Sequence, residues 1–342
     1  MLYSNNRGDK MANIRDVAKA SGHSVSTVSR VLNQKGYVSE QTKSEILSAM
    51  EKLNYHRNDL ARALSLGKSY RIGVILPYIN HPYFQKLADA IAEKALMENY
   101  QVTLLPTNYD SKYEMKYLDM LKHRAFDGLI FTSRAISFSQ IIKYRSFGGL
   151  VCCEDTFDYP LSCAFTDRKK SFGNVLKILK DAGYSHIGLT VSRSEVVSQS
   201  AKLTTQSYES VFGHAIPEGM LYRDAKNMYD GITAAGKLVE NDPDLEVIFA
   251  NGDQIAAGAL KKLEEINHQA LVIGQENLSS SFLLDFSTVD HRLDSIGETA
   301  FDLLFEDKII KKEIPSRFIV RGELSEIIPN EDEDPLDKII DK

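Results

Sequence analysis

The residues best suited to recognise another molecule lie in the segment ASGHSVSTVSRVLNQKG, residues 20–36. It intersperses short hydroxyl side chains with valines and carries a guanidinium at Arg30, and no Asp or Glu lies between Ser21 and Gly36. A face of short polar side chains with a faint positive charge can approach a polyanion closely, because no bulky group holds it away. The segment therefore favours contact with a polyanion.

The apolar residues of the same segment predict the helix that carries this face. Val25, Val28, Val31 and Leu32 recur at the spacing of one side of a helix, which predicts that this side is buried. Ser24 directly precedes them and is the expected N-cap.

Two further short helices are predicted around this one. The run IRDVAKAS precedes Gly22, a residue suited to a tight turn, and Ser39 is a second N-cap candidate ahead of an apolar stripe from Ile46 to Leu53. Two helices joined by a Gly-containing turn and braced by a third form a helix-turn-helix unit. A generic three-helix bundle is the alternative that the pattern leaves open.

Charge divides the 342 residues into two parts. Residues 1–70 hold 11 Lys and Arg against 6 Asp and Glu, whereas the remainder holds 30 against 41, within a net charge of -6. A basic head on an acidic body suggests that only the head approaches the polyanion.

The bulk composition is typical of a soluble globular protein, with 43% hydrophobic and 26% charged residues. No run of about 18 apolar residues occurs, and the first residues lack the apolar core of a signal peptide. The three cysteines, Cys152, Cys153 and Cys163, are predicted to be buried free thiols in a reducing compartment. We therefore expect a cytoplasmic protein.

From Arg71 onward, apolar strands alternate with helices. The predicted strands include RIGVILP, QVTLLPTN, FDGLIF, GLVCCED, HIGLTV, EVIFAN and ALVIG. Strands that are apolar on both sides indicate parallel sheets covered by helices, and their number indicates two α/β lobes. The expected division is an N-terminal arm or start artefact over 1–11, a helix-turn-helix domain over 12–57, a hinge helix and linker over 58–69, a two-lobe body over 70–325 and an acidic disordered tail over 326–342.

These segments resemble one known family. NIRDVAKASGHSVSTVSRVLNQKGYVSEQTKSEILSAMEKLNYHRNDLARAL is similar to the DNA-binding head of the LacI family of bacterial transcription regulators, and RIGVILPYINHPYF is similar to the start of its effector-binding body. The resemblance runs from about residue 12 to residue 325. It implies a two-lobe body like that of periplasmic binding proteins and an all-α helix-turn-helix head. It also implies a homodimer on a palindromic double-stranded DNA operator.

The resemblance assigns roles within the head. It places Val25, Ser26 and Arg30 at base-reading positions, where a valine suits a thymine methyl and an arginine suits guanine. It implies phosphate contacts by other polar residues, namely Ser24, Thr27, Ser29, Asn33 and Thr42. His23 either joins these contacts or is simply an exposed turn residue.

The resemblance also assigns a role to the linker. In the family the matching segment becomes a hinge helix when two subunits meet on DNA, and its leucine wedges into the minor groove. Leu64 has that position here, beside Ala61 and Arg62. Such a wedge unstacks a base step and bends the duplex, most readily at a pyrimidine–purine step.

A cleft between the lobes holds a small sugar, purine or phosphate ester in family members. The matching positions, which form the predicted effector site, are Tyr78, Asn80, Pro82, Phe84, Asp155, Gln275, Glu276 and His291. Two departures argue against tight binding of a typical sugar. Thr204 stands where family members often have an arginine, and Glu276 replaces the usual aspartate.

A second input implied by the resemblance is HPr, a phosphocarrier protein, phosphorylated on serine. Its docking in the family uses basic residues that pair with the phosphoserine. Residues 293–307 carry no Lys or Arg, and Asp302 stands where an arginine is expected. Arg317 and Arg321 are the candidates to compensate.

An enzyme and a solute-binding receptor are the alternatives to a regulator. An enzyme is disfavoured because the chain has no G-x-G-x-x-G, P-loop, H-E-x-x-H or G-x-S-x-G motif, and we expect neither a cofactor nor a metal. A solute-binding receptor acting as a sugar sensor would need a signal peptide and no basic head. The sequence therefore predicts a DNA-binding repressor of carbohydrate or carbon catabolite genes.

Overall fold

The structure, a computed structural model, describes residues 12–33, 36–55 and 67–328. These residues form two compact units, which meet in sequence between Ser69 and Tyr70. The predicted arm, most of the predicted hinge segment and nearly all of the predicted tail lie outside the described residues.

The small unit contains three helices, α1 (Ile14–Ser21), α2 (Val25–Asn33) and α3 (Glu40–Lys52). Asn13 and Asp16 form a capping box at the start of α1, and Gly22 ends that helix with a φ of 70°. The predicted caps are confirmed, since Ser24 Oγ accepts from the backbone N–H of Thr27 and Ser39 Oγ accepts from that of Thr42.

One apolar cluster joins the three helices of the small unit. Val17 of α1, Val28 of α2 and Ile46 of α3 are completely buried in it, and Val31 and Leu32 pack against it. Val25 is an exception to the prediction from spacing, because 42% of it is exposed. It is the first residue of α2 and lies ahead of the turn that contacts the other helices.

The large unit consists of two lobes. The first lobe begins with alternating strands and helices, β1 (Arg71–Leu76), α4 (Pro82–Met97), β2 (Gln101–Pro106), α5 (Ser111–Lys122), β3 (Gly128–Phe131), α6 (Phe138–Ile142), β4 (Gly149–Cys152) and β5 (Ser162–Phe165). Two later elements return to complete it, α12 (Leu293–Leu303) and β11 (Lys311–Glu313).

The second lobe follows the same alternation. Its elements are α7 (Arg168–Asp181), β6 (Ile187–Thr190), α8 (Gln199–Phe212), β7 (Leu221–Tyr222), α9 (Met228–Asn241), β8 (Val247–Phe249), α10 (Asp253–Glu265), β9 (Leu271–Gln275), α11 (Ser279–Leu283), β10 (Ser287–Asp290), β12 (Arg317–Ile319) and a short 3-10 helix (Gly322–Glu326).

Each lobe is built on a six-stranded sheet. The strand order is β11-β5-β4-β3-β1-β2 in the first lobe and β12-β10-β9-β8-β6-β7 in the second. The described pairings are parallel except that of β10 with β12, so the second sheet ends in an antiparallel edge strand that the sequence pattern did not predict. The buried central strands agree with the expected parallel sheets covered on both faces.

Three crossings connect the lobes, between β5 and α7, between β10 and α12, and between β11 and β12. Thr166 lies on the first crossing, and its hydroxyl is 3.0 Å from the carbonyl oxygen of His291 and 2.9 Å from that of Ile314. One side chain therefore contacts all three crossings, at the hinge between the lobes.

The cysteines of the large unit agree with the sequence expectation. Cys152, Cys153 and Cys163 are buried and unoxidised, and burial raises the pKa of each thiol. In the part of the chain that the structure describes, no helix is both long and apolar enough to cross a bilayer.

Candidate functional site

The exposed face of α2 is polar and carries no carboxylate. Val25, Ser26, Arg30 and Asn33 are exposed, whereas Thr27 and Ser29 are half-buried. Arg30 makes no ion pair with any residue that the structure describes. The three predicted base-reading residues therefore lie on the accessible side of one helix.

The hydroxyl groups at the start of α2 bond to one another. Ser24 Oγ lies 2.7 Å from Ser26 Oγ and 2.8 Å from Thr27 Oγ1. These bonds fix the side-chain positions around the N-terminus of the helix, where backbone N–H groups and the helix dipole favour an anion.

The other residues predicted to contact phosphate also make local bonds. Asn33 Nδ2 donates to the carbonyl oxygen of Ser29 at 2.8 Å. Thr42 Oγ1 lies 2.9 Å from Ser39 Oγ at the start of α3. The structure places these residues on the small unit without testing their contacts, and Ala61, Arg62 and Leu64 lie outside the described residues.

His23 has a specific partner. Its Nε2 lies 2.7 Å from Glu45 Oε2 on α3, and Gln41 donates to the other oxygen of the same carboxylate at 3.1 Å. The bond from His23, followed by that from Gln41, lowers the pKa of Glu45. The pair ties the turn before α2 to α3, so His23 is more than an unattached turn residue.

The large unit contains a cleft of about 410 Å³ between its lobes, a size typical of small-molecule sites. Five of the predicted effector residues line it, namely Tyr78, Phe84, Asp155, Glu276 and His291. Tyr78 and Phe84 contribute aromatic surface, while the last three contribute hydrogen-bonding groups.

The other predicted effector residues do not line the cleft. Asn80 is exposed on the loop before α4, and Pro82 is the first residue of that helix. Thr204 is buried on α8, and its hydroxyl donates to the carbonyl oxygen of Ser200 at 3.0 Å. These three residues lie outside the lining of the cleft, because nearness to a strand end does not fix which way a side chain points.

Gln275 lies behind the cleft and fixes the orientation of His291. Its Nε2 donates to the carbonyl oxygen of Ala250 at 2.9 Å, so its Oε1 faces His291 Nε2 at 3.0 Å. The bond to Gln275 places the proton on Nε2 and leaves Nδ1 as an acceptor, so the 3.3 Å approach of Arg168 Nη1 to Nε2 is not a hydrogen bond. Nδ1 is buried and has no partner among the described residues.

Burial keeps the His291 imidazole neutral. Burial, with a further contribution from Arg168, holds the pKa of His291 well below its ordinary value. Arg168 Nη1 lies 3.3 Å from His291 Nε2. The cleft thus presents a buried neutral acceptor beside a guanidinium.

Glu276 is a second buried acceptor. It is only 4% exposed, its side chain forms no hydrogen bond with a described residue, and its φ of 101° is rare for a residue with a side chain. Burial and the nearby Asp253 raise its pKa well above the ordinary value, while Arg168 and Lys86 act in the opposite direction.

Two neighbouring contacts hold the strained segment that carries Glu276. Asp253 Oδ2 accepts from the backbone N–H of Leu278 at 2.6 Å, and Arg321 Nη2 donates to Asn277 Oδ1 at 2.7 Å. Glu276 is therefore presented to the cleft by a rigid buried network, which sequence motifs do not reveal.

Arg321 is thus not available to compensate for missing cations on the surface. It is 9% exposed and also donates to Ser281 Oγ at 3.0 Å. That part of the sequence prediction was wrong. On α12, Asp294 and Asp302 form ion pairs with Lys86 and Lys94 of α4 at 3.6 and 3.3 Å.

Sequence reasoning missed two arginines in the cleft. Arg168 begins α7, and Arg193 follows β6 in a loop that contains no recognised motif. A position directly after a parallel strand was the available signal for Arg193. The cleft therefore contains guanidinium groups, although Thr204 does not provide one.

Known protein families match nearly the whole chain. Residues 13–58 match the family described as bacterial regulatory proteins, lacI family. Residues 69–321 match the family described as periplasmic binding proteins and sugar binding domain of LacI family.

Individual relatives agree with these matches. Catabolite control protein B of Bacillus subtilis (strain 168) is 38% identical over 308 residues, which cover 90% of this chain and 99% of the relative. The ribose operon repressor of Halalkalibacterium halodurans is 29% identical, with 91% and 96% of the two chains covered. The structure of the lac repressor dimer bound to operator and the anti-inducer ONPF has a TM-score of 0.77 at 20% identity and covers 91% of this chain and 98% of that one, which shows a shared fold.

Proposed function

Because the chain belongs to the LacI family of bacterial regulatory proteins, we propose that it is a repressor that binds a near-palindromic DNA operator as a homodimer. Its regulated genes are proposed to serve carbohydrate use or carbon catabolite control. Its operator affinity changes when a small molecule occupies the cleft. It works in the bacterial cytoplasm, where the DNA is, and has no catalytic role.

The observation that carries the DNA-binding proposal is the carboxylate-free face of α2. A helix with small side chains fits deep in the major groove, and exposed Arg30 can form two bonds with guanine. Ser24, Thr27 and Ser29 are pre-positioned by local bonds to contact phosphates, which fix register without reading sequence. Because one helix reads only a few base pairs, genomic specificity requires two copies on a symmetric site.

The cleft's unpartnered acceptors define the effector. His291 Nδ1 needs a donor, and the Glu276 side chain has no hydrogen-bond partner among the described residues; a hydroxyl can bond to either group while accepting a bond from a neighbouring guanidinium. The aromatic side chains of Tyr78 and Phe84 suit the apolar faces of a sugar ring. We therefore propose a polyhydroxyl ligand.

Charge favours a neutral ligand over a phosphate ester. The basic residues that line the cleft are balanced by acidic ones. They are Arg168, Lys169, Arg193 and Lys226 against Glu154, Asp155, Asp167, Glu276 and Glu313. A phosphate would therefore meet five acidic side chains against four basic ones.

HPr phosphorylated on serine is the protein partner that the resemblance implies. Residues 293–307, which include α12, carry no Lys or Arg, and Asp294 and Asp302 are occupied by lysines of α4. A phosphoserine would have to pair with cations elsewhere on the large unit. Serine-phosphorylated HPr is therefore tested separately from the small molecules.

Fluorescence anisotropy of the purified chain on a palindromic duplex with a central CG step tests the proposal. We expect tight binding to the palindrome and weak, salt-sensitive binding to a scrambled duplex. Neutral sugars, their phosphate esters and serine-phosphorylated HPr are then added separately. If the chain bound every candidate operator no more tightly than the scrambled duplex, sequence-specific repression would be contradicted.

The three additions distinguish the possible regulators of operator affinity. A shift in operator affinity with one neutral sugar supports the proposed ligand class. A shift with phosphate esters alone contradicts it. Tighter binding with the phosphoprotein alone would assign regulation to a protein partner instead of the cleft.

A further inference from the structure

A guanidinium of one lobe lies over an aromatic ring of the other. Arg193 follows β6 in the second lobe, and Tyr109 follows β2 in the first lobe. The Cζ atom of Arg193 is 3.5 Å from the centre of the Tyr109 ring. This distance is that of a close cation–π contact.

Tyr109 is held rigidly on its own lobe. Asn108 and Tyr109 both have positive φ angles, 51° and 58°, which turn the chain sharply after β2. The Tyr109 hydroxyl lies 3.1 Å from Ser133 Oγ, and Tyr78 packs edge-on against the ring at 5.8 Å between centroids. The ring is thus a fixed platform at the cleft.

Arg193 is attracted to the first lobe by more than the ring. The acidic side chains of Glu114, which is completely buried, and Glu154, which is half-buried, are both in the first lobe and interact electrostatically with Arg193. Arg193 Nε is itself buried and has no hydrogen-bond partner among the described residues. A ligand oxygen in the cleft can therefore bond to it without displacing an existing bond.

The contact lies far from the hinge. In the first sheet β2 is four strand positions from β5, which leads into a crossing, or about 19 Å at a strand spacing of about 4.8 Å. In the second sheet β6 is three positions from β10, or about 14 Å. Opening at the hinge separates groups in proportion to this distance, so Arg193 and Tyr109 are well placed to oppose it.

We infer that Arg193 is a positioning residue that clamps the two lobes together across the cleft by stacking on Tyr109. A ligand that bonds Arg193 Nε while the stack is intact stabilises the closed arrangement. Cleft occupancy is thereby coupled to the lobe arrangement. The effect of a ligand on the lobes rests on the proposed function, whereas the clamp itself is tested without any ligand.

Cys153 is a natural reporter of the clamp. It lines the cleft and is only 5% exposed, whereas Cys152 and Cys163 are completely buried in the first lobe. Opening of the cleft exposes Cys153 to a small neutral thiol reagent. The rate of N-ethylmaleimide labelling at Cys153, assigned by peptide fragmentation in mass spectrometry, measures the open fraction, with a Cys153→Ser variant as background.

Arg193→Ala in the full chain should raise this rate by about 5-fold to 30-fold, the range that the loss of one desolvated cation–π contact implies. Arg193→Lys should restore part of the protection, and Tyr109→Phe should keep it because the ring face remains. Tyr109→Leu should raise the rate as Arg193→Ala does.

Arg223→Ala is the matched control. Arg223, directly after β7, forms an ion pair at 2.8 Å with Glu195, which lies in the same loop as Arg193, and no hydrogen bond or ion pair joins Arg223 to a described residue of the first lobe. This variant should label at the rate of the unmodified chain. An equal increase in Arg193→Ala and Arg223→Ala would show loosening of the loop and overturn the clamp.

A second measurement guards against misfolding. Thermal unfolding and far-ultraviolet circular dichroism must show that Arg193→Ala remains folded, and small-angle X-ray scattering should then give a larger radius of gyration than for Arg223→Ala. An unchanged radius together with unchanged Cys153 labelling would overturn the inference. If labelling of Cys153 rises in Arg193→Ala but no sugar slows it in the unmodified chain, the clamp stands and the proposed effector fails.

Discussion

His291 Nε2 lies 3.0 Å from Gln275 Oε1, and this contact decides which imidazole nitrogen is left as an acceptor. The bond from Gln275 Nε2 to the Ala250 carbonyl prevents the amide from flipping. Gln275 therefore acts on a ligand through His291 without lining the cleft itself.

Gln275→Leu should weaken binding of the cleft ligand by about fivefold, since His291 loses the bond that fixes its tautomer, worth about 1 kcal/mol. Isothermal titration calorimetry with the sugar identified in the anisotropy experiment measures the change. Gln254→Leu, at an exposed position of α10, is the control and should bind normally. Equal affinities for the two variants would contradict the orienting role of Gln275.

Arg30→Ala should weaken binding to the specific operator by about 1–3 kcal/mol and relax the preference at one base position. Anisotropy titrations against an operator library and a scrambled duplex measure both effects. Lys43→Ala removes an exposed cation that is ion-paired with Glu40 and should not change the base preference. If Arg30→Ala lowered both affinities equally, Arg30 would be a phosphate contact.

Glu45→Gln should loosen α2, because the bond from His23 loses the carboxylate charge that strengthens it. The pKa of Glu45 is lowered in the folded head, so its stabilising contribution is present above its ordinary value near 4.5 and is lost as the pH falls through the lower folded value. Hydrogen exchange of α2 amides in the full chain, followed from pH 7 to pH 4, should be faster in the variant at pH 7 and should converge with the unmodified chain in acid. Ser44→Ala, at an exposed position of α3, should leave the exchange unchanged.

Asp253→Asn should flatten the pH dependence of stability of the large unit. Burial raises the pKa of Asp253 to about 7, so its contribution to folding is fully present below its ordinary value near 3.8 and is lost as the pH rises through about 7. Urea unfolding at pH 5 and pH 8 should show a smaller decline for Asp253→Asn than for the unmodified chain. A constant difference between the two proteins would show that Asp253 does not titrate in this range.

Leu64→Ala tests the minor-groove wedge that the family resemblance implies. Because an apolar wedge unstacks a base step and bends the duplex, the variant should reduce DNA bending and affinity together. Fluorescence energy transfer between the duplex ends measures bending. Unchanged bending at saturating protein would exclude Leu64 as the wedge.

The sequence alone predicted the elements whose signals are local. Ser24 and Ser39 were identified as caps because their hydroxyl groups lie next to the helix starts that they serve. The central strands, such as RIGVIL and LVIGQ, were identified because they are buried by helices on both sides and are therefore largely apolar. Short edge strands such as β12 were not predicted, since their pairing depends on a strand that is distant in the sequence.

The cleft was predicted less well, because its side chains meet across long sequence separations. Of the residues chosen by their proximity to strand ends, Glu276 and His291 line the cleft, whereas Thr204 and Asn80 lie outside it. Only the tertiary structure decided that Gln275 orients His291 and that Arg193 meets Tyr109, 84 positions earlier in the chain. The helices and strands follow from hydrogen bonds and burial along a short segment, whereas the direction of a side chain in a cleft is decided by packing between elements that only folding brings together.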